Sequence, residues 1–340
     1  MATRRRVIQD DGVSGRGRIA SFAGRGLVVG AWIVTGLLAL VVAMRLAWHD
    51  GLWLFLLANT LTPYLYLPAW AIAVGAVASR RWRLAIAAGI LCAFHAHFTL
   101  LPLVRATHRP PQGPGPTLKV VSANLLMVHQ NPPALADELD RLDADVYFLQ
   151  ELSDRWDREL ERRGFWKRYP YNRRVVSEDS FGSAIASRLP VSELDVFWLA
   201  ELPEMRGVLS FNGRSIELFN FHLLPPRSRE YVPYFQTGVD GVLATARQLR
   251  ARGGSFIIAG DFNSTPDSRL AAGMRAVSDD AWEIAGAGFG ATWPNGVFPV
   301  PPIRLDHVFL SPDLAVSHVT LGTGTGSDHL PIIADIVRQR

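Results

Sequence analysis

One cysteine in 340 residues, Cys92, leaves nothing to pair with inside the chain. A disulfide-stapled scaffold is excluded, so any folded domain must hold itself by its apolar core. Charge is also scarce, at 19% of residues. Lys, Arg, Asp and Glu are missing altogether from Gly26–Met44, Leu52–Ala78 and Leu84–Val104. A hydrocarbon core needs about 20 helical residues to cross, and a charge at its centre costs at least ~2.5 kcal/mol. The pattern predicts three transmembrane helices. The first run is too long for a cleaved signal peptide and two more follow it. The second is over-long and holds Pro63 and Pro68, which leaves open a re-entrant pair of half-helices that would move the tail to the other side. His95 and His97 inside the third run read as structural, since a neutral imidazole costs less there than an ammonium or a carboxylate.

Arginines in the short flanks set the expected orientation. Arg4, Arg5, Arg6, Arg16, Arg18 and Arg25 precede the first run, and Arg80, Arg81 and Arg83 lie between the second and third. Arg45, Arg105 and Arg109 fall on the other side. The amino terminus is expected to be cytoplasmic and the carboxyl-terminal part extracytoplasmic. The overall net charge of +4 hides a division. Residues 117–340 carry 23 basic and 28 acidic groups, a net of −5. They show no Lys/Arg cluster interleaved with aromatics. A nucleic-acid track is therefore not expected, because phosphate neutralisation supplies most such affinity.

Four regions follow: a basic segment over 1–25, three spans within 26–104, a Pro/Gly-rich spacer over 105–116 ("THRPPQGPGP" at its core) and a domain over 117–340. In that domain apolar strand-like runs alternate with helical patterns, which marks it as α/β. Strands are expected at 118–125, 145–152, 181–191, 207–211, 215–223, 255–263, 304–311 and after Pro331. Helices are expected at 132–142, 153–164, around 239–252 and near 268–276.

The expected strands end in residues a core would not choose. "SANLL" carries Asn124, "FLQEL" Glu151, "FNFHL" His222, "IAGDFNSTP" Asp261 and Asn263, "RLDHVFLS" Asp306, and "GSDHLPI" Asp328 and His329. Polar groups at strand ends of an α/β domain gather on one edge, where ligands bind. Asp261 and Asn263 are two apart and so share a face, and Gly260 before them permits a close backbone approach. His307, next to Asp306, points to the opposite face and reads as structural. Ser183 and Ser187 read as sheet residues, Arg188 as a surface ion pair, and Thr292 and Trp293 as packing.

These segments, with "FGSAIASRLP", resemble in family order the endonuclease/exonuclease/phosphatase (DNase I-like) superfamily. The Arg-flanked three-span amino terminus resembles its VanJ-type teicoplanin-resistance membrane phosphatases. The resemblance implies a two-sheet α/β sandwich. It implies Asn124, Glu151 and Asp328 at a divalent cation, Mg²⁺ with Mn²⁺ as the alternative. His222, Asp261, Asn263, Asp306 and His329 become the catalytic groups. Either Asp261 or His329 would serve as the base, with Asp306 orienting His329. Tethering to a membrane and the VanJ-type likeness imply a lipid-linked phosphate or pyrophosphate, such as undecaprenyl pyrophosphate, as substrate. The alternatives are a phosphodiesterase or nuclease of the same superfamily and a non-catalytic receptor. No protein partner is implied.

Overall fold

The computed structural model describes residues 12–100, 116–128, 132–296 and 301–338. The chain divides into two compact units, one of residues 1–47 and 63–96, the other of residues 48–62 and 97–340.

The first unit is helical. Gly12–Trp48 is one helix, so part of the expected basic segment is already helical. Its portion Gly24–Trp48, and Trp82–Leu100, are long and apolar enough to cross a membrane. The expected third span runs on to Val104, but 101–104 lie outside the described residues. Leu52–Ala78 departs from expectation: it is not one helix but a pair, Trp53–Thr60 and Thr62–Ala78, bent by 75°. The prolines allow the break. Pro63 and Pro68 fall in the first turns of the short helices Thr62–Leu65 and Leu67–Ala78, where a missing N–H costs little. Candidate spans among the described residues therefore number two, or three if the bent pair counts as one. His95 is buried and accepts a hydrogen bond from the Trp70 indole at 3.0 Å, a packing role.

The second unit is a sandwich of two mixed six-stranded sheets with helices outside, the expected α/β architecture. Its strands are β1 (Leu118–Asn124), β2 (Val146–Gln150), β3 (Tyr171–Val175), β4 (Ser183–Ser187), β5 (Val191–Leu199) and β6 (Leu202–Phe211). They continue with β7 (Arg214–His222), β8 (Ser255–Asp261), β9 (Asp279–Asp280), β10 (Asp306–Leu310), β11 (Leu314–Leu321) and β12 (Ile332–Arg338). One sheet runs β11-β12-β1-β2-β4-β3, the other β5-β6-β7-β8-β10-β9. The expected strand 181–191 is in fact two. It breaks after Ser187, whose hydroxyl accepts from Leu189 N at 3.0 Å, and the chain passes from one sheet to the other.

Each sheet contains a single parallel pair, β1 with β2 and β7 with β8. Parallel neighbours need a crossover, supplied by helices Pro132–Leu142 and Val232–Arg252. The second starts seven residues before its expected 239 and ends as expected at Gly253, φ 70°. Period-two alternation then divides the core. Leu118, Val120, Phe148, Ile257 and Val308 pack between the sheets. Val121, Tyr147 and Leu149 face helices on one side, with Leu135 and Trp156. Phe221, Ile258 and Phe309 face Val239 and Val242 on the other. Above the apolar interior lies a buried polar layer. Gln150 donates to Asn220 at 2.6 Å, and Asn220 donates to Ser183 Oγ at 2.9 Å and to Leu149 O at 2.9 Å, tying one sheet to the other.

Gly260 justifies its place. Its φ is +143°, and a Cβ there would stand 1.9 Å from Phe221 O on the neighbouring strand. Gly260→Ala must therefore push β7 from β8. A loss of about 2–4 kcal/mol of unfolding free energy is expected in urea denaturation; a loss under ~0.5 kcal/mol would contradict the close approach.

Candidate functional site

Register brings the polar strand ends together. His222 on β7 pairs with Asp261 on β8, and Asp261 pairs with Asp306 on β10. Directly paired residues share a face, so all three side chains sit at the rim of the inter-sheet core. In the facing sheet Asn124 pairs with Gln150, and Glu151 follows at once. The same alternation sends His307 outward. Its ring bonds Asp280 Oδ2 at 2.7 Å and Ser264 O at 2.9 Å and stacks on Phe309, as its structural reading requires.

Asp261 is the hub. Its Oδ1 accepts from Asn263 N at 2.9 Å, and its Oδ2 accepts from the Asn124 amide at 3.1 Å. The Nε2 atoms of His222 and His329 each stand 3.6 Å from that same Oδ2. His329 Nδ1 is 2.8 Å from Asp306 Oδ2. Across the hollow the Asn124 amide also donates to Glu151 Oε1 at 3.1 Å, and Met127 N donates to Glu151 Oε2 at 2.8 Å. Glu151 has φ 58° and Asn263 φ 46°. Left-handed backbone at non-glycine residues is uncommon and gathers at functional sites. Gly182 shapes the Glu151 turn, since a Cβ there would lie 2.0 Å from Leu152 O.

Asn124, Glu151, His222, Asp261, Asn263, Asp306 and His329 thus meet in one place. Two commitments qualify their expected roles. The Asn263 side-chain amide donates to Leu223 O at 2.8 Å. Asp328, expected at a metal, is half-buried and accepts from the Trp293 indole at 3.0 Å. The other residues read as structural are so engaged. Thr292 Oγ1 accepts from Leu305 N at 3.0 Å and Asp306 N at 3.2 Å, fixing the start of β10. Arg188 pairs with Asp143.

Charge here is costly to bury. Burial pushes the Asp261 carboxyl up, with Asp306 adding to the rise and His329 and His222 opposing it. For His329 burial opposes the charge, but Asp306 and Asp261 outweigh it and lift the imidazolium to about 10. His329 thus lies between two acids that favour its charged form. Asp261, Asp306 and His329 offer ligand atoms all within 4.8 Å of one another. The buried Asp306 Oδ1 has no hydrogen-bond partner. Glu151 is not one of that cluster, and both its oxygens accept hydrogen bonds, but the carboxylates of Asp261 and Asp306, with one oxygen unsatisfied, fit a hard divalent cation.

Sequence reasoning missed Glu204. It is 1% exposed, and its Oε2 accepts from His222 N at 2.9 Å. Its other oxygen and His222 Nδ1 are buried without hydrogen-bond partners. A lone acid in an antiparallel strand normally faces water, so nothing in "LPEMRGVLSF" marks it.

A sequence profile of the Endonuclease/Exonuclease/phosphatase family matches residues 121–329. The chain belongs to that family. Its fold is similar to that of a humanized D. rerio TDP2 (21% identity over 65% of this chain and 99% of that one, TM-score 0.55). A truncated Caenorhabditis elegans TDP2 is 23% identical over 65% of this chain and 97% of its own, with TM-score 0.55. A family protein from Bacteroides thetaiotaomicron is 19% identical over 66% and 99%, with TM-score 0.53. No curated protein matches the chain. At these identities the solved structures establish the fold; the family and the geometry together carry the chemistry.

Burial pushes the Glu204 carboxyl up from 4.5 to about 8, with the His222 N–H pulling the other way. Between those values the folded protein keeps a proton the unfolded chain has lost, so Glu204 makes stability fall as pH rises, by up to ~1.4 kcal/mol per unit. Glu204→Gln lacks that titration. Urea unfolding should show its stability, relative to the parent, improving steadily from pH 5 to pH 8. A pH-independent difference would contradict a neutral buried acid.

Proposed function

We propose that the protein is a membrane-held, divalent-cation-dependent phosphohydrolase acting on a lipid-linked phosphate or pyrophosphate, of which undecaprenyl pyrophosphate is the type. The observation that carries it is the buried Asp261 carboxylate, flanked by His222 and His329 and joined to Glu151 through Asn124. Glu151 with the Asn124 amide oxygen would hold the cation, Mg²⁺ by preference, with Asp328 near. Once bound, the ion neutralises charge on phosphate oxygens and orients a water.

The chain's own groups supply the rest. Asp261 has an oxygen facing two imidazoles, where it takes the proton of an attacking water. In this reading Asp261 is the base rather than His329, whose charged form Asp306 and Asp261 favour. The imidazolium instead faces the charge on the phosphate oxygens, held in orientation by Asp306. His222 and the remaining Asn263 N–H donate to non-bridging oxygens. The hollow is complementary to an in-line displacement with charge spread over phosphate oxygens.

Substrate choice rests on the chain's surroundings. Apolar helices long enough to span a membrane precede the domain, and the −5 charge of residues 117–340 disfavours a nuclease. A receptor without catalysis would not need a buried carboxylate between two imidazoles. By the charge distribution in the flanks the catalytic domain lies on the extracytoplasmic face. In detergent with Mg²⁺ or Mn²⁺ the protein should release phosphate from a polyprenyl pyrophosphate, and Asp261→Asn should lower turnover by about 10²–10⁴. Turnover by Asp261→Asn equal to the parent's would remove Asp261 from its role. No release by the parent with either metal would remove the substrate.

A further inference from the structure

The segment that follows the first candidate span, with the first helix of the bent pair, is built into the catalytic unit. Residues 48–62 group with 97–340, not with the other helices. Three hydrogen bonds pin it. Asp50 Oδ2 accepts from Arg269 N at 2.6 Å, Asp50 O accepts from Gln236 Nε2 at 2.9 Å, and the Trp53 indole donates to Pro226 O at 3.2 Å. Asp50 is 3% exposed and also accepts from Asn59 at 2.8 Å. Leu56 enters the hydrophobic cluster of Phe235 and Phe262. Asn59 and Thr60 face Asn263, Ser264 and Thr265 across a small pocket, so the helix Trp53–Thr60 forms one wall beside the loop that follows Asp261.

Its other face is apolar and bare. Leu54 and Leu57 lie one turn apart, with Leu52 before and Leu61 after, and these four are 38–60% exposed. The adjoining segment carries exposed Tyr231 and Tyr234, and the Arg229 guanidinium lies 5.9 Å from the Trp53 ring centre. Leucines flanked by Trp, Tyr and Arg are the composition of a membrane–water boundary.

Chain connectivity names the occupant of that face. Trp48 ends one candidate span and Trp53 starts the helix, so the helix begins within about 18 Å of the span's end. One residue, Leu61, separates it from the helix at Thr62. The hydrogen bonds also constrain topology. Asp50 and Arg269 can meet only on one side of a membrane, so the chain must cross an even number of times between them. With Trp82–Leu100 crossing, Thr62–Ala78 must cross too. At ~1.5 Å per residue it covers about 25 Å, at the short end of what a span needs.

We infer that Trp53–Thr60 is an in-plane helix whose Leu52, Leu54, Leu57 and Leu61 dock on the lipid surface, holding the Asn263–Ser268 loop of the site at that surface. Resting on the phosphohydrolase reading above, this restricts the substrate to an amphiphile whose phosphate reaches the hollow while its tail stays in lipid. The test uses the full chain in lipid nanodiscs, with Cys92→Ala and single spin labels at Leu54→Cys, Leu57→Cys and, at an exposed position of β5, Glu193→Cys. Oxygen should relax the labels at 54 and 57 several-fold more than a water-soluble nickel chelate does, with the reverse at 193. Nickel dominance at 54 and 57 would overturn the inference, and this readout needs no turnover. Given turnover, Leu54→Gln with Leu57→Gln should lower the ratio of kcat/KM on a long polyprenyl pyrophosphate in vesicles to that on soluble geranyl pyrophosphate about tenfold. An unchanged ratio would overturn it as well.

Discussion

A single buried carboxylate organises the site. Asp261 is 1% exposed, and a charge so far from water survives only where partners replace its hydration. The Asn263 N–H, the Asn124 amide and two imidazoles do so here. Each partner comes from a different strand end or turn. Sheet register, the Gly260 approach and the polar layer of Gln150 and Asn220 are therefore conditions for this one group. A slip of one residue in β8 would turn Asp261 toward Phe221 and Phe309 and expel it from the hollow.

The architecture explains why such a group is available. Each sheet holds one parallel pair, and a crossover helix returns each pair to the same rim. Asn124, His222 and Asp261 end three of those four strands, and Glu151 follows the fourth. Asp306 arrives from the antiparallel β10, whose amino end reaches the same level. The apolar interior below excludes water and strengthens every electrostatic contact above it. Membership of the Endonuclease/Exonuclease/phosphatase family and the hollow's chemistry agree. This chain adds to that domain a helical unit before it and the short helix Trp53–Thr60, whose Leu56 enters the domain's own core.

Much of the rim was legible in the sequence, because polar residues ending apolar runs stand out against a core that would not choose them. Asp261 and Asn263 after "FIIAG" are the plainest instance. Other features were not legible, for physical reasons. Glu204 sits where a solvent-facing acid is ordinary, and only the packed fold shows it beneath His222. β3, "YNRRV", is polar and partly exposed, so no apolar period marks it. The break after Ser187 depends on a side-chain hydrogen bond rather than on composition. Most instructive is Leu52–Ala78. Its hydropathy reads as one span, yet Leu56 and Asn59 find burial within the sandwich unit and the prolines let the helix bend there. Hydropathy measures preference for leaving water and does not distinguish lipid from a protein core.

The central claim is that these separated side chains hold one divalent cation beside Asp261. Mn²⁺ titration followed by electron paramagnetic resonance tests it directly, with Glu151→Gln compared against the parent. One site is expected in the parent, with affinity at least tenfold weaker in Glu151→Gln. Equal affinity in both proteins, or no site at all, would contradict the account.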